Sequence, residues 1–302
     1  MKIDNLMIVG ATHGNEPVGS HIVNRWKKKP EQIQRNSFNT HLLIANEDAA
    51  KRQQRYIDKD LNRCFHPTDL VNLGLSALED NRAREINALI GPEGSSPQDM
   101  IVDLHTTTAN MGTTIICEAT PGNLMIAGSV KRRHPYVRIY CFPSSDRIQA
   151  CLRSITPYGI GIEIGPISQN VVRHDIILAI EKVTQAILDV VDDFNIGVLN
   201  GTDLQVNAYE HVGDRAYPRC STNDKAVIHR DIQDRDYCVL KQGTQLFINN
   251  DTEGTIYEGT SQLYPVFINE AAYYEKNIAF SLARKKKFLV KITGQDAIFS
   301  MP

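Results

Sequence analysis

The sequence has no apolar run near the roughly 20 residues that a helix needs to span a bilayer. A helical membrane protein is therefore excluded. Residues 1–4 lead almost directly into an apolar segment, without the basic start, apolar centre and small-residue cleavage site of a secretory signal. None of the six cysteines, Cys64, Cys117, Cys141, Cys151, Cys220 and Cys238, stands in a C-x-x-C pair. That removes a zinc ribbon and a dithiol redox motif. Their irregular spacing in a long chain points to free thiols in a reducing compartment. The net charge is only −2, so no global field draws the chain to nucleic acid or an anionic membrane. Any positive potential must be local, inside a cleft. The basic run at 285–287 is too short for a nucleic-acid face and reads as a solvated strand edge. There is no internal repeat, low-complexity tract or long linker. The expectation is a soluble, cytoplasmic protein with neither nucleic acid nor membrane as partner.

What is present is ordinary for a globular chain. Its 302 residues are 42% hydrophobic and 23% charged, enough for a large core and too apolar for disorder. Short apolar runs at 6–10 (LMIVG), 41–45 (HLLIA), 100–105 (MIVDLH), 137–141 (VRIYC) and 160–164 (IGIEI) read as strands. Helical spacing follows Pro17 and recurs at 77–90 and 175–191. This alternation predicts an α/β fold, a mainly parallel sheet covered by helices on both faces, for residues 1–196. From 197 to 302 the texture changes to short β-like runs at 244–248, 264–268 and 288–292. Turn signals stand between them at 249–251 and 293–294. A smaller β-rich C-terminal domain is predicted there.

Ligands of parallel sheets gather at the carboxyl ends of strands, and the polar residues just past the predicted strands are informative. His13 and Glu16 form H-x-x-E on the loop after the first strand, with Gly14 allowing the backbone to bend. Zinc takes imidazole nitrogen and carboxylate oxygen at about 2.0–2.2 Å, with one position left open in catalytic sites. His105, ending another strand, is the candidate third ligand. Asp103, two residues earlier and on the same face, is placed to hold its tautomer. The remaining histidines lack such a setting.

Glu163 interrupts an apolar, glycine-flanked strand, GIGIEIGP at 159–166. Either it faces solvent on an edge strand, or it is a general base and acid whose pKa burial raises toward neutrality. Arg55, Arg63 and Arg153 are either solvated charges or planar forks for a carboxylate.

Five blocks carry a family resemblance: GATHGNEPVG (10–19), DKDLNRCF (58–65), DLHTTTANMG (103–112), GIEIGP (161–166) and YPVFINEAAYYEK (264–276). With them the chain resembles the succinylglutamate desuccinylase/aspartoacylase family of zinc carboxypeptidase-like proteins, over nearly its whole length. The resemblance implies one Zn²⁺ per subunit on His13, Glu16 and His105. It implies hydrolysis of N-acetyl-L-aspartate to acetate and L-aspartate, with Glu163 as base and acid toward a metal-activated water. Arg55 would polarise the carbonyl, Asn62, Arg63 and Arg153 would hold substrate carboxylates, and Tyr273 would donate a hydrogen bond to substrate from the second domain, which narrows the channel. A small N-acyl amino acid is the expected partner, and a homodimer or larger assembly the expected state. Alternatives are a deacylase of other N-acyl amino acids, including aromatic ones, a metallocarboxypeptidase, and a non-catalytic zinc protein. Two departures bear on side-chain preference and leave the zinc chemistry untouched. Gln149 stands where the family often has tyrosine, and Asn277 where it often has lysine.

Overall fold

The first apolar run forms β1 (Asn5–Gly10), buried from Leu6 onward. Pro17 at the first helical position then opens α1 (Pro17–Lys28), which buries Val18, Ile22, Val23 and Trp26 on one stripe and ends in lysines suited to a helix C-terminus. The computed structural model describes residues 2–143, 149–219, 224–248, 254–294 and 296–299. Within them the further strands are β2 (Asn39–Ile44), β3 (Met100–Thr106), β4 (Gly112–Glu118), β5 (Arg138–Phe142), β6 (Tyr158–Gly165) and β7 (Asp203–Ala216). They continue as β8 (Val227–Ile228), β9 (Gln245–Ile248), β10 (Thr255–Ile256), β11 (Tyr264–Val266), β12 (Ile278–Thr293) and β13 (Asp296–Phe299). The further helices are α2 (Glu47–Arg52), α3 (Pro67–Leu70), α4 (Leu78–Ile90), α5 (Pro121–Arg133), α6 (His174–Asn195) and α7 (Ala271–Tyr274). Short 3₁₀ turns stand at Leu61–Arg63 and Leu152–Ile155.

One mixed sheet runs in the order β11-β12-β7-β5-β4-β6-β3-β1-β2, with β13 paired to β12. The six N-terminal strands are parallel to their neighbours except for the β4–β6 pair. Successive residues of β1 serve opposite faces, as a period of two requires. Leu6 and Ile8 join the core under α1, α5 and α6, while Met7 and Val9 pack on α4. This is the helix-covered, mainly parallel sheet expected from the sequence. Among the described residues no helix is long and apolar enough to cross a membrane. Cys64, Cys117, Cys141, Cys151 and Cys238 are free thiols, and Cys220 lies outside the described residues.

The β-rich C-terminal region is present, but it is not a separate sheet. β7 pairs in parallel with β5 through Tyr209 and Glu210, and β12 runs antiparallel along β7. The central sheet thus continues past residue 196, and a small sheet, β10-β9-β8, completes the region. The run at 288–292 is the end of the sixteen-residue β12. Lys285–Lys287 sit at its middle, exposed, where β12 pairs with β7 but with neither β11 nor β13. The turn signal at 249–251 lies outside the described residues, whereas Thr293-Gly294 does turn β12 into β13, with Gly294 at φ +60.

Candidate active site

The loop after β1 and the end of β3 lie side by side in the sheet, because Val9 pairs with Asp103. That register brings together His13, Glu16 and His105, three buried side chains whose ligand atoms lie within 4.8 Å of one another. Their setting is fixed locally. Ala11 takes the positive-φ position of the loop (φ 55). Gly14, expected from the sequence to supply the bend, does not take a positive φ. Its role is steric, since a Cβ there would stand 2.1 Å from the Ala49 carbonyl carbon at the start of α2.

The Nδ1 atoms of both histidines converge on Glu16, at 2.7 Å for His13 and 3.0 Å for His105. The distal nitrogens are held from behind. His105 Nε2 is 2.7 Å from Asp103, which also accepts from the Thr12 hydroxyl, and His13 Nε2 is 3.1 Å from Asp60. For His105, a carboxylate accepting from Nε2–H leaves the Nδ1 lone pair turned to the centre. His13 Nε2 is shared between Asp60 and the Arg55 guanidinium, whose Nη2 lies 2.9 Å away. Burial opposes charge on His105, yet the Asp103 and Glu16 carboxylates hold its pKa well above the usual value. Burial likewise works against ionised Glu16, but His13 and His105 outweigh it and drive the carboxyl down. The cluster therefore demands positive charge at its centre, and a divalent cation meets that demand. Donors about 3.4 Å apart would be needed for tetrahedral zinc, within the reach of these three. The imidazole–carboxylate–imidazole set fits the ion. Among the described residues there is no other such group of three.

Around the cluster lies a solvent-open pocket, about 670 Å³ when the open solvent at its mouth is counted. Every residue expected at the site from the sequence lines it: His13, Glu16, His105, Arg55, Asn62, Arg63, Arg153, Glu163 and Tyr273. Glu163 is on β6, a central strand between β3 and β4, so the edge-strand alternative falls. It keeps partial exposure because it faces the pocket. Burial nonetheless pushes its carboxyl up to about 8, with Glu16 and Glu270 adding to the rise and His105 and Arg55 opposing it. Arg55 reaches Glu16 at 3.2 Å and Asp60 at 3.4 Å. Burial works against charged Asp60, but His13, Arg55 and Arg63 hold it well below its usual pKa.

Asp60 caps the turn Leu61–Arg63 through Asn62 N at 3.0 Å. Asn62 Oδ1 accepts from Leu152 N at 2.8 Å, which ties that turn to the one carrying Arg153. The Asn62 oxygen is thus engaged, and its amide nitrogen is the group left for a ligand. Arg153 is 7% exposed, and neither it nor Arg63 makes an ion pair among the described residues. A buried guanidinium without a carboxylate, as at Arg153, is costly unless an anion arrives. Arg63 is half-buried and also donates to Asn62 O.

The two departures from the family pattern lie outside the pocket lining. Asn277 does not line the pocket; it donates to Tyr217 O at 3.3 Å from a left-handed backbone position (φ 57). Its neighbour Lys276 is the one that turns inward, with Nζ 3.2 Å from Asp60. Gln149 is exposed and does not line the pocket either.

Glu270 was not foreseen. One of its oxygens accepts from Thr108 N (2.8 Å), Thr108 Oγ1 (2.9 Å) and Ala109 N (3.2 Å), and from the Thr107 hydroxyl. The other caps α7 through Ala272 N at 3.1 Å. Glu270 thereby staples the segment after His105 to the helix that carries Tyr273. The sequence signal was there: an acidic residue just before Ala-Ala-Tyr-Tyr, the position of a helix cap.

Comparison with known proteins places the chain among relatives over nearly its whole length. Residues 2–191 match the succinylglutamate desuccinylase/aspartoacylase catalytic domain, and residues 204–285 the AstE/AspA barrel-sandwich hybrid domain. A probable aspartoacylase of Trichodesmium erythraeum is 41% identical over 96% of this chain and 99% of its own length. A human N-acyl-aromatic-L-amino acid amidohydrolase (carboxylate-forming) is 36% identical over 98% of this chain and 94% of its own. The crystal structure of murine aminoacylase 3 superposes with a TM-score of 0.87 at 34% identity, covering 99% of both chains.

Proposed function

The chain belongs to the succinylglutamate desuccinylase/aspartoacylase family, and within it we propose that it hydrolyses the amide of N-acetyl-L-aspartate to acetate and L-aspartate. The observation that carries this reading is the pair of guanidinium groups, Arg63 and Arg153, lining the pocket without an ion pair among the described residues. Two cationic forks suit a ligand with two carboxylates. The names of relatives support the coarser activity, removal of an acyl group from an amino acid.

Zn²⁺, one per subunit, is the ion we assign to His13, Glu16 and His105; bound there it supplies Lewis acidity to the amide carbonyl and to water. The chain's own residues do the rest. Glu163, with its pKa raised toward neutrality, takes a proton from the attacking water and returns it to the departing amine nitrogen. Water oxygen ends on the acyl carbon, the C–N bond breaks, and both products leave without any redox change. Arg55, kept cationic by Asp60 and Glu16 despite its burial, faces the carbonyl oxygen as negative charge develops there. Asn62, Arg63 and Arg153 hold carboxylates, and Tyr273 donates to bound substrate from the C-terminal region. Phe267, Glu270, Ala272 and Tyr273 of that region line the pocket. The bounds of the two matched family domains, 2–191 and 204–285, support the proposed division at 196/197, and these lining residues support a second domain that narrows the channel.

A second reading, deacylation of N-acyl aromatic amino acids, is favoured by a different part of the wall, Ile116, Phe142 and Phe267. The deciding experiment measures bound metal and assays a panel of N-acyl amino acids with and without a chelator. Turnover of N-acetyl-L-aspartate above all other members, abolished by the chelator and restored by zinc, is the expected result. Preference for an aromatic substrate would establish the second reading, and full activity after the metal is stripped would overturn both. The free cysteines support a reducing, cytoplasmic location. A homodimer or larger assembly rests on the resemblance and is checked by sedimentation.

A further inference from the structure

Resting on the deacylase reading above, we infer that Glu79 is a positioning residue: a carboxylate outside the pocket that places Arg55 and Asp60 by gripping the backbone between them. Glu79 stands in the first turn of α4 and is 1% exposed. Its Oε1 accepts from Ile57 N at 2.7 Å, and its Oε2 from Asp58 N at 3.0 Å and Lys59 N at 3.2 Å. Three successive backbone N–H groups thus end on one side chain. A fourth donor, Asn46 Nδ2 at 3.2 Å, comes from the cap of α2. The grip is mutual, since Asp58 Oδ2 accepts from Leu78 N at the start of α4, at 2.8 Å.

The gripped tripeptide, Ile57 to Lys59, is flanked by working groups. Arg55 lies two residues before it and contacts Glu16; Asp60 follows it and contacts His13. The chain between α2 and the Leu61–Arg63 turn has no regular structure. Between Arg55, whose O accepts from Gly14 N at 3.2 Å, and Asp60, the Glu79 contacts are what hold its backbone in place. Capping α4 requires only the contact from Asp58, so helix capping does not account for three backbone donors on Glu79. Charge-assisted bonds from N–H to a buried carboxylate are the strong kind. A displacement of about 1 Å at a catalytic group costs on the order of 100-fold in rate.

The test is Glu79→Gln, which keeps size but replaces one acceptor oxygen by a donor. Hydrogen–deuterium exchange at amides 57–59 is expected to accelerate. On N-acetyl-L-aspartate, well below the melting temperature, kcat is expected to fall about 10- to 100-fold with KM and metal content near those of the unmodified protein. In an Arg55→Lys background the same change is expected to cost at least about 3-fold less than it does alone, because one of the two groups it places is already altered. If Glu79→Gln does not fold, Glu79→Asp carries the same measurements. Unchanged kcat, an equal loss in both backgrounds, or a loss that follows metal content would overturn the inference. An unmodified protein inactive on every N-acyl amino acid would sink the deacylase reading instead, while the exchange measurement would still report on the grip.

Discussion

His105 and Glu163 are partners across the parallel pairing of β3 and β6. One end of the proposed metal triad and the proposed base thus sit on adjacent central strands of the sheet. Glu163→Ala is expected to keep its full metal content and to lose about 10²- to 10⁴-fold in kcat, the usual worth of a positioned acid–base group. Metal analysis beside steady-state kinetics checks this. Normal kcat with metal verified would remove Glu163 from the chemistry.

Arg153 is held by the turn Leu152–Ile155, which Asn62 anchors, and its guanidinium is buried without a carboxylate partner among the described residues. An N-acyl aspartate brings two carboxylates and an N-acyl aromatic amino acid brings one. Arg153→Ala is expected to lower kcat/KM for the acidic substrate about 10- to 100-fold, the scale of one lost charged hydrogen bond. The aromatic substrate should lose markedly less. Equal losses on both would mean that Arg153 does not read the second carboxylate.

Glu270 joins residues 107–109 to the α7 cap, linking the two halves of the chain at the pocket. Removing it orphans several N–H and O–H donors, of which those of Thr107 and Ala109 are buried. Glu270→Ala is expected to lower stability by about 2–4 kcal/mol and to reduce turnover even where the protein remains folded, because Tyr273 loses its anchor. Urea melts and assays at low temperature measure the two effects separately. A variant with unchanged melting would show that the staple carries no weight.

The legible parts of this chain were those where one physical demand acts alone. β1, β3 and β6 are buried on both faces and so read as continuous apolar runs, and the polar residues at their ends read as site candidates. β4 begins Gly-Thr-Thr and α5 is interrupted by Gly122 and Gly128, so neither shows a clean period. β7 alternates buried and exposed residues from Leu204 to Glu210, a signal that was available. Its pairing with β5 was not, because two contacts between distant strands leave no mark in either run. Asp60 shows the same limit at the site: four groups, from residues 13, 55, 62 and 276, meet on its carboxylate. No spacing in the sequence hinted at this, and Lys276 arrives solely through the folding of the second half over the first.

Asp236 supplies a test that is independent of the active site. It is buried, its Oδ1 accepts from Ile268 N at 3.1 Å, and its Oδ2 has no hydrogen-bond partner among the described residues. Burial pushes its pKa from the ordinary 3.8 to about 7, against the pull of nearby backbone N–H groups. The folded chain therefore holds this proton between about pH 4 and 7 while the unfolded chain has released it. Because the folded pKa is the higher one, stability is greatest below the unfolded pKa and is lost as pH rises through 7. The loss is on the order of 4 kcal/mol once Asp236 is ionised in both states. Asp236→Asn keeps the acceptor to Ile268 and abolishes the titration. The variant should melt above the unmodified protein at pH 8, with the gap closing as pH falls toward 4. Paired thermal melts across that range, on metal-free protein, measure it. A gap that stays constant with pH would mean that Asp236 is not ionising inside the fold.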